Sequence, residues 1–364
     1  MKIEDMVTFE VNGKKCVALV RKLTERECFR LMGVDDDRID VIANSGVSRS
    51  AQYKMAGNSI VVDVLYHIFR TAFIPQFRGD AGDMFGSTDL IRGEFTKDSP
   101  LRVATLCSGY DSQFMALDRL HRDFPEFCYE PVWFAEHDPE SNKPDDEQPA
   151  VIAHKALYPG CPNLGDMTKI DWAAAKKKYG EIDLLFYSTP CQSISQAGLQ
   201  HGFTEGSGTR SSIIWNVRDA LRIVQPRFAC LENVAAMVSE KFKPMFDLWR
   251  KTTEDLGYAS FAKLMNAKHY GVPQNRERIF LFSVHKVKNG GGANYYFPEP
   301  IPLARKLRDV LEDCVDARYY LNPEKVQEFV GKNLVKIRDY AEKDGGRIEK
   351  LPDNLRKWLE GYAA

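Results

Sequence analysis

The spacing of apolar residues changes from strand-like to helical within the first part of the chain. Across residues 7–20, apolar positions recur at every second residue on either side of Asn12-Gly13, a dipeptide favoured in tight type I′ turns. This pattern predicts a short β-hairpin. Thr24 and Glu27 then have the spacing of a capping box, and Gly33 is expected to end the short helix that follows them.

A stronger helical pattern begins at Asn58-Ser59 and should end at Pro75. Its apolar residues recur at the spacing of one buried stripe and are Ile60, Val61, Val64, Leu65, Ile68 and Phe69. Such a helix needs a larger partner to pack against. Residues 76–100 are rich in Gly, Asp, Ser and Thr, which is typical of a linker or a long exposed loop.

From Leu101 onward, β-rich runs alternate with helical patterns. The predicted strands are 102–106, 132–135, 182–187, 228–231, 259–264 and 279–284, and the predicted helices are 112–122, 171–179, 211–224 and 241–255. This alternation predicts an α/β fold, a doubly wound and mostly parallel sheet, with a small reduced second lobe. The expected divisions are a segment 1–75, a linker 76–100, a main domain 101–285 and a C-terminal segment 286–364, which is mostly charged and helical from Pro323.

Composition narrows the class of protein. The chain has 364 residues, of which 44% are hydrophobic and 28% charged, and these values favour a globular protein. No apolar run reaches membrane-spanning length and no signal peptide is indicated, so the cytoplasm is the default expectation. The eight cysteines occur singly, without metal-ligand spacing, and no metal is expected. A net charge of −1 neither favours nor excludes a local nucleic-acid groove.

Two residues at predicted strand ends could carry covalent and acid chemistry. Cys191 follows a strand and Pro190, where an exposed thiolate could act as a nucleophile, although a lone cysteine is more often buried and inert. Glu232 ends an apolar run, where a carboxyl group needs a partner or a proton. The two arginines in Gln274-x-Arg276-x-Arg278 are, taken alone, equally compatible with surface charges.

Further strand ends carry features typical of a nucleotide site. The run from Val103 to Ser112 is a strand, a glycine turn at Gly109 and a helix start, which alone is a weak signal. Glu136 ends the next strand and could hold a ribose diol, while Asp166 could accept from an adenine amino group. Each acid separately could also be a solvated loop residue.

Together, Pro190-Cys191-Gln192, Glu232-Asn233-Val234 and Gln274-x-Arg276-x-Arg278 resemble the motifs of the DNA cytosine-5 methyltransferase family. Residues similar to the family's closing motifs, 21–27 and 56–60, come first in this chain, so the order resembles a circular permutation. The resemblance implies that the Cys191 thiolate adds to carbon 6 of a flipped cytosine while Glu232 acts as the acid on ring nitrogen 3.

The resemblance also implies a site for S-adenosylmethionine and one for double-stranded DNA. Arg276 and Arg278 would hold the substrate carbonyl and a phosphate. The cofactor residues implied are Gly109, Tyr110, Asp111, Ser112, Glu136, His137, Asp166, Met167, Pro190, Asn58 and Ser59, and those implied for DNA are Gln192, Ser193, Ser195, Arg210 and Gln274. The segment from Ser193 to Arg210 resembles a loop that closes over DNA.

Departures from the family pattern leave alternatives open. Cys107, Asp111 and Ser112 stand where the family usually has Phe and two glycines, and Ser193-Ile194 stand near a usual aromatic position. The tail after Tyr320 is short for a target-recognition region, so a separate polypeptide could supply recognition. Methylation of tRNA cytosine and a non-catalytic DNA-binding subunit remain the alternatives to an active DNA methyltransferase.

Overall fold

The computed structural model describes residues 8–11, 14–17, 20–74, 95–190, 204–206, 210–291, 294–322, 325, 326, 328 and 332. The chain divides into two compact units, one formed by residues 1–28 with 308–364 and the other by residues 29–307. The boundaries between these units, at residues 28/29 and 307/308, differ from the divisions expected after residues 75, 100 and 285. Residues 29–74 and 286–307 both belong to the larger unit.

The smaller unit contains the predicted hairpin and the predicted helix start. Strands β1 (Thr8–Val11) and β2 (Lys14–Val17) pair antiparallel, which confirms the hairpin. Helix α1 (Glu25–Arg30) follows, and the capping box is confirmed because Glu27 Oε2 accepts from the Thr24 N–H at 2.8 Å and Thr24 Oγ1 accepts from the Glu27 N–H at 3.1 Å. Arg21 donates two hydrogen bonds to Glu27, each 2.7 Å long.

A six-stranded sheet forms the centre of the larger unit. Its strands are β3 (Leu101–Leu106), β4 (Tyr129–Ala135), β5 (Leu184–Tyr187), β6 (Phe228–Val234), β7 (Tyr258–Asn266) and β8 (Glu277–His285). Their order is β4-β3-β5-β6-β8-β7. Only β8 runs against its neighbours, so the sheet is mostly parallel, as the strand and helix alternation predicted.

Helices cover both faces of this sheet. They are α2 (Asp36–Asn44), α3 (Arg49–Asn58), α4 (Val62–Phe73), α5 (Ser112–Asp123), α6 (Pro149–Leu157), α7 (Trp172–Tyr179), α8 (Ile214–Val224) and α9 (Lys243–Asp255). On one face, Trp172 of α7 contacts Trp133, and Trp215 of α8 contacts Trp249 of α9. On the other face, His154 of α6 stacks on Phe134 of β4. Because consecutive strand residues point to opposite faces, Trp133 and Phe134 assign these helices to separate layers.

Helix α4 packs directly on the sheet although it precedes every strand of it. Phe69 contacts Phe186 of β5 edge to face, with ring centroids 6.2 Å apart. Phe73 contacts Phe228 of β6 at 5.5 Å and Phe282 of β8 at 6.4 Å. The helix begins at Val62, four residues after Asn58, because Asn58 ends α3 and Ser59 through Val61 are extended or capping positions.

Part of the expected linker is packed rather than exposed. Residues 75–94 lie outside the described part of the chain, but Phe95 is 4% exposed and its ring contacts Phe73 and Phe228. Phe95 therefore belongs to the core of the larger unit, whereas residues 96–99 are exposed. Within the described residues, no helix is long and apolar enough to cross a membrane.

Candidate active site

The carboxyl ends of the parallel strands place four chemically useful residues in one row. The last paired positions of β4, β3, β5 and β6 are joined by the register across the sheet. The residues that follow these positions therefore emerge side by side at the same edge; they are Glu136, Cys107, Ser188 and Glu232. Ligand sites of open α/β sheets lie at this edge.

Glu232 is held at this edge by donors on both of its carboxylate oxygens. It is 5% exposed. Arg278 Nε lies 3.0 Å from Oε1, and the Ser188 hydroxyl donates to Oε2 at 2.6 Å. Since β8 runs antiparallel to β6, its beginning lies beside the end of β6, and this is what brings Arg278 to Glu232. The arrangement supplies the partners that a nearly buried carboxylate requires.

Asn233 and Thr189 make a second connection between β6 and the end of β5. Asn233 Nδ2 donates to the Thr189 carbonyl oxygen at 3.0 Å, and both residues are buried. Thr189 leads into Pro190. The expected nucleophile Cys191 and the expected DNA residues Gln192, Ser193 and Ser195 lie outside the described residues, as does most of the segment expected to close over DNA. Arg210 begins a short 3₁₀ helix, Arg210–Ile213, and its side chain is also outside the description.

Glu136 lies at the other end of the row and is joined to Gly109. Gly109 has a φ of 60°, in the left-handed region that favours glycine, and its N–H donates to Glu136 Oε2 at 2.8 Å. Burial raises the pKa of Glu136 to about 7, and the negative charges of Asp111 and Asp138 act in the same direction, whereas the Gly109 hydrogen bond opposes them. This carboxyl group therefore changes charge near neutral pH.

Arg276 joins the end of α3 to the sheet. Its Nη2 donates to the carbonyl oxygens of Gly57 at 2.9 Å and Ser59 at 2.7 Å. The Tyr110 hydroxyl donates to Ser59 Oγ at 2.5 Å. These contacts hold the Asn58-Ser59 segment beside the glycine turn. Arg276 acts here on the protein backbone, a role that the sequence did not predict.

These residues line one cavity of about 1050 Å³ in the larger unit. This volume is at the upper end of small-molecule sites. The predicted residues that line it are Asn58, Ser59, Gly109, Tyr110, Ser112, Glu136, His137, Asp166, Met167, Pro190, Glu232, Arg276 and Arg278. The structure thus brings together residues predicted for the cofactor with three of the four predicted for catalysis.

Among the predicted site residues whose side chains the structure describes, Asp111 and Gln274 do not line the cavity. Asp111 is fully buried, and its carboxylate faces Thr105 and His154 instead. Gln274 Nε2 donates to the Leu31 carbonyl oxygen at 2.9 Å, so this side chain holds a neighbouring loop rather than projecting into the cavity. Both side chains are occupied by residues distant in sequence, and the proposed ligand-binding set omits them.

The sequence analysis gave no role to three residues that the structure places at the site: Ser188, Thr189 and Asn233, the last of which was named only as part of a motif. A signal was available, since Ser188-Thr189 directly precede Pro190 and Asn233 directly follows Glu232. Their hydroxyl and amide groups fall at strand ends, where polar side chains reach the ligand edge of the sheet.

The cavity also suits the chemistry of S-adenosylmethionine, which carries a ribose diol, an adenine and a positively charged sulfur. Glu136 lines the cavity with one oxygen bound to Gly109, and carboxylates accept from diol hydroxyls. Although partial burial opposes it, hydrogen bonds from Thr168 and Lys169 lower the pKa of Asp166, so this second acid is charged. Within the described residues, no cluster of His, Cys, Asp or Glu could hold a metal ion.

Comparison with known proteins agrees with this chemistry. The family model described as C-5 cytosine-specific DNA methylase matches residues 2–73 and 101–363. The type II methyltransferase M2.ScrFI of Lactococcus lactis subsp. cremoris is 35% identical over 166 residues, which cover 46% of this chain and 44% of that protein. The orphan methyltransferase M.Rho11sI of Bacillus phage rho11s is 30% identical over 260 residues, covering 64% and 48%.

A third relative shows a similar overlap. The type II methyltransferase M.HpaII of Haemophilus parainfluenzae is 31% identical over 198 residues, covering 53% of each chain. The chain spans about half the length of the curated relatives it matches.

Proposed function

Because the chain belongs to the C-5 cytosine-specific DNA methylase family, we propose that it transfers a methyl group from S-adenosylmethionine to carbon 5 of a flipped cytosine in double-stranded DNA. One observation carries this proposal. A single cavity collects the nearly buried Glu232, its partner Arg278 and the residues expected to hold the cofactor.

The surroundings of Glu232 support the proposal that it is the acid of this reaction. A cytosine ring accepts a thiolate at carbon 6 only when ring nitrogen 3 is protonated or hydrogen-bonded, because the added electron pair must be accommodated there. Glu232 would supply that proton. Arg278 and Ser188 fix the carboxyl group from two sides, which reduces the reorganisation needed when the base enters.

Cys191 is the proposed nucleophile, and its place in the chain supports this role. It is the third residue after Ser188, whose side chain is bonded to Glu232, and the second after Thr189, which accepts from Asn233. Its thiolate would form a bond to carbon 6, which makes carbon 5 nucleophilic. After methylation, loss of the carbon 5 proton and release of the cysteine restore the aromatic ring and the thiolate.

The cofactor supplies the methyl group from its positively charged sulfur when it is bound. Glu136 would hold the ribose diol and Asp166 the adenine amino group. Gly109 provides the turn that lets the backbone lie close to a ligand, and its N–H fixes Glu136. Tyr110 and Arg276 position the Asn58-Ser59 segment, so these two residues act on the cavity wall.

We propose further that the family's motifs occur here in circularly permuted order, with residues 1–75 forming the closing segment of the catalytic domain. Support comes from α4, which packs on three strands of the sheet although it precedes them, and from Asn58 and Ser59, which line the cavity. A chain can be cut and rejoined in this way when its original ends lie close together on the surface.

Target recognition is proposed to involve the C-terminal segment 286–364, with a separate recognition polypeptide as a proposed partner. The target cytosine is out of reach inside a duplex, so the base must be flipped before it can enter the cavity.

Transfer of tritium from labelled S-adenosylmethionine tests the proposed reaction. The purified full chain is given duplex DNA in one reaction and tRNA in another. We expect acid-stable label in DNA that is lost in Cys191→Ser, while calorimetry shows that this variant still binds the cofactor. Label in tRNA alone would replace the DNA proposal, and normal turnover by Cys191→Ser would remove its nucleophile.

A further inference from the structure

Asp111 has an unusual backbone conformation between Tyr110 and Ser112, which both line the cavity. It has φ 61° and ψ 64°, in the left-handed region, although it is not glycine. An aspartate at the start of a helix usually accepts hydrogen bonds from the first amides of that helix. Asp111 precedes α5 but makes no such bond. Its carboxylate is therefore used elsewhere.

That carboxylate contacts two other elements of the larger unit. Oδ2 accepts from the Thr105 hydroxyl of β3 at 3.1 Å and lies 2.9 Å from Nδ1 of His154 in α6. Asp111 and His154 are both fully buried. The His154 ring is in turn stacked on Phe134 of β4, with centroids 3.5 Å apart. The pair thus connects β3, β4, α5 and α6 at one buried point.

Each of these four elements supplies residues to the cavity wall close to the buried pair. Cys107 and Gly109 line the cavity just after β3, and Glu136 lines it two residues after Phe134. Ser112 of α5 directly follows Asp111, and Pro149 at the start of α6 also lines the cavity. A movement of Asp111 and His154 would therefore displace residues that are expected to contact the cofactor.

An aspartate that is both buried and in the left-handed backbone region destabilises the fold in two ways. A side chain in the left-handed region strains the backbone, and a buried carboxylate loses its hydration. Burial raises the pKa of Asp111, while the neighbouring His154 opposes that rise. A glycine would avoid both costs at this position. What the aspartate provides and a glycine lacks are the contacts of its carboxylate with Thr105 and His154.

We propose that Asp111 and His154 form a tether that holds the glycine turn in the conformation that binds S-adenosylmethionine. Both are positioning residues, since neither lines the cavity. The inference rests on the proposed function, and it assigns Asp111 a role distinct from direct cofactor contact.

Calorimetric titration of the full-length protein with S-adenosylmethionine tests the tether. Asp111→Gly removes the tether and also the backbone strain, whereas Asp111→Asn keeps the size and the tolerance for a left-handed φ. Both variants should raise the Kd for the cofactor about tenfold, with kcat at saturating cofactor nearly unchanged. His154→Gln should do the same, and the double variant with Asp111→Asn should be no weaker than either single variant.

Asp118 provides a matched control on the same helix. It accepts from the hydroxyls of Tyr129 and Tyr158, away from the cavity wall. Asp118→Asn should lower the melting temperature without changing the cofactor Kd. If Asp111→Gly does not fold, Thr105→Val, which removes only the hydroxyl bonded to Asp111, should raise the Kd about threefold.

The outcomes separate the tether from the proposed function. Tight cofactor binding by wild type and equally tight binding by Asp111→Gly would overturn the tether and leave the methyltransferase proposal standing. Strictly additive effects of Asp111→Asn and His154→Gln would also overturn it. Absence of cofactor binding by wild type would overturn the proposed function, and the tether with it.

Discussion

Arg278 Nε lies 3.0 Å from Oε1 of Glu232, and this ion pair joins the start of β8, which runs against the other strands of the six-stranded sheet, to the end of its neighbour β6. Its geometry follows from the sheet topology, since an antiparallel β8 is what brings Arg278 to the ligand edge. The same carboxylate accepts from Ser188 on its other oxygen. Glu232 is therefore oriented by two strands at once, within the row that also contains Glu136.

Removing Arg278 should affect both stability and catalysis. Arg278→Ala leaves a carboxylate that is 5% exposed without its cationic partner, which should lower the free energy of unfolding by about 2 kcal/mol or more. The proposed acid also loses its orientation, so we expect methyl transfer to fall at least about 100-fold. Urea unfolding and tritium transfer measure the two effects.

A second substitution separates the two effects of Arg278→Ala. Glu232→Gln in the same chain removes the unpaired charge and should recover most of the lost stability, while methyl transfer stays at or below the level of Arg278→Ala. Recovery of activity in this double variant would show that Glu232 is not the acid.

Ser188 should matter for turnover more than for binding. Ser188→Ala removes the 2.6 Å hydrogen bond to Glu232 Oε2, and we expect kcat to fall about tenfold with little change in the KM for DNA. Ser188→Thr retains a hydroxyl and should restore most of the rate. Ser239→Ala serves as a control, because the exposed Ser239 hydroxyl donates only to the Ala236 carbonyl oxygen. An unchanged kcat in Ser188→Ala would contradict this role.

Cofactor affinity should depend on pH through Glu136. Its pKa is raised by burial to about 7, so the charged form that accepts from a ribose diol predominates above that pH. The affinity for S-adenosylmethionine should therefore fall as pH decreases through about 7 and level off above about 8. Calorimetry across this range measures it, and Glu136→Gln should bind weakly with little dependence on pH.

The Glu136 carboxyl group should affect folding stability in the opposite direction, because its contribution to stability falls as pH rises. A carboxyl group whose folded pKa lies above its ordinary value of 4.5 binds more protons in the folded state between the two values. Its contribution to the free energy of unfolding thus decreases as pH rises from 4.5 to about 7. The difference between wild type and Glu136→Gln in urea unfolding isolates this contribution. A difference that grows with pH over that range would contradict the assignment.

Helix α4 should be essential for the stability of the sheet. Phe73 is 1% exposed and contacts Phe228 and Phe282, so Phe73→Ala should cost about 3–5 kcal/mol of unfolding free energy. Arg70→Ala on the exposed side of the same helix should cost less than about 0.5 kcal/mol. A cost near zero for Phe73→Ala would separate this helix from the sheet and remove the support for a permuted order.

Much of the sheet could be predicted because its signals are local. All six predicted strands and all four predicted helices from residue 101 onward are present, with ends shifted by a few residues. Strand periodicity and the alternation with helices depend only on neighbouring residues. Helices α2, α3 and α6 were not predicted, and α3 in particular carries a mixed polar face that gives little helical periodicity.

The side-chain connections could not be read from the sequence in the same way. The partner of Asp111 is 43 residues away in His154, and Gln274 bonds to Leu31 from the opposite end of the unit's sequence. The partner of each side chain depends on which polar group the folded chain places close to it. The strand-end rule located the cavity, but it could not decide which polar residue faces the ligand and which faces the core.

Bisulfite sequencing of plasmid DNA tests the central claim most directly. The full chain is expressed alone in a host that lacks cytosine-5 methylation, beside Glu232→Gln and Cys191→Ser variants. The account predicts that cytosines in a defined sequence context resist conversion with the wild-type chain and are fully converted with either variant. Complete conversion with the wild-type chain, or protection that persists in Glu232→Gln, would contradict it.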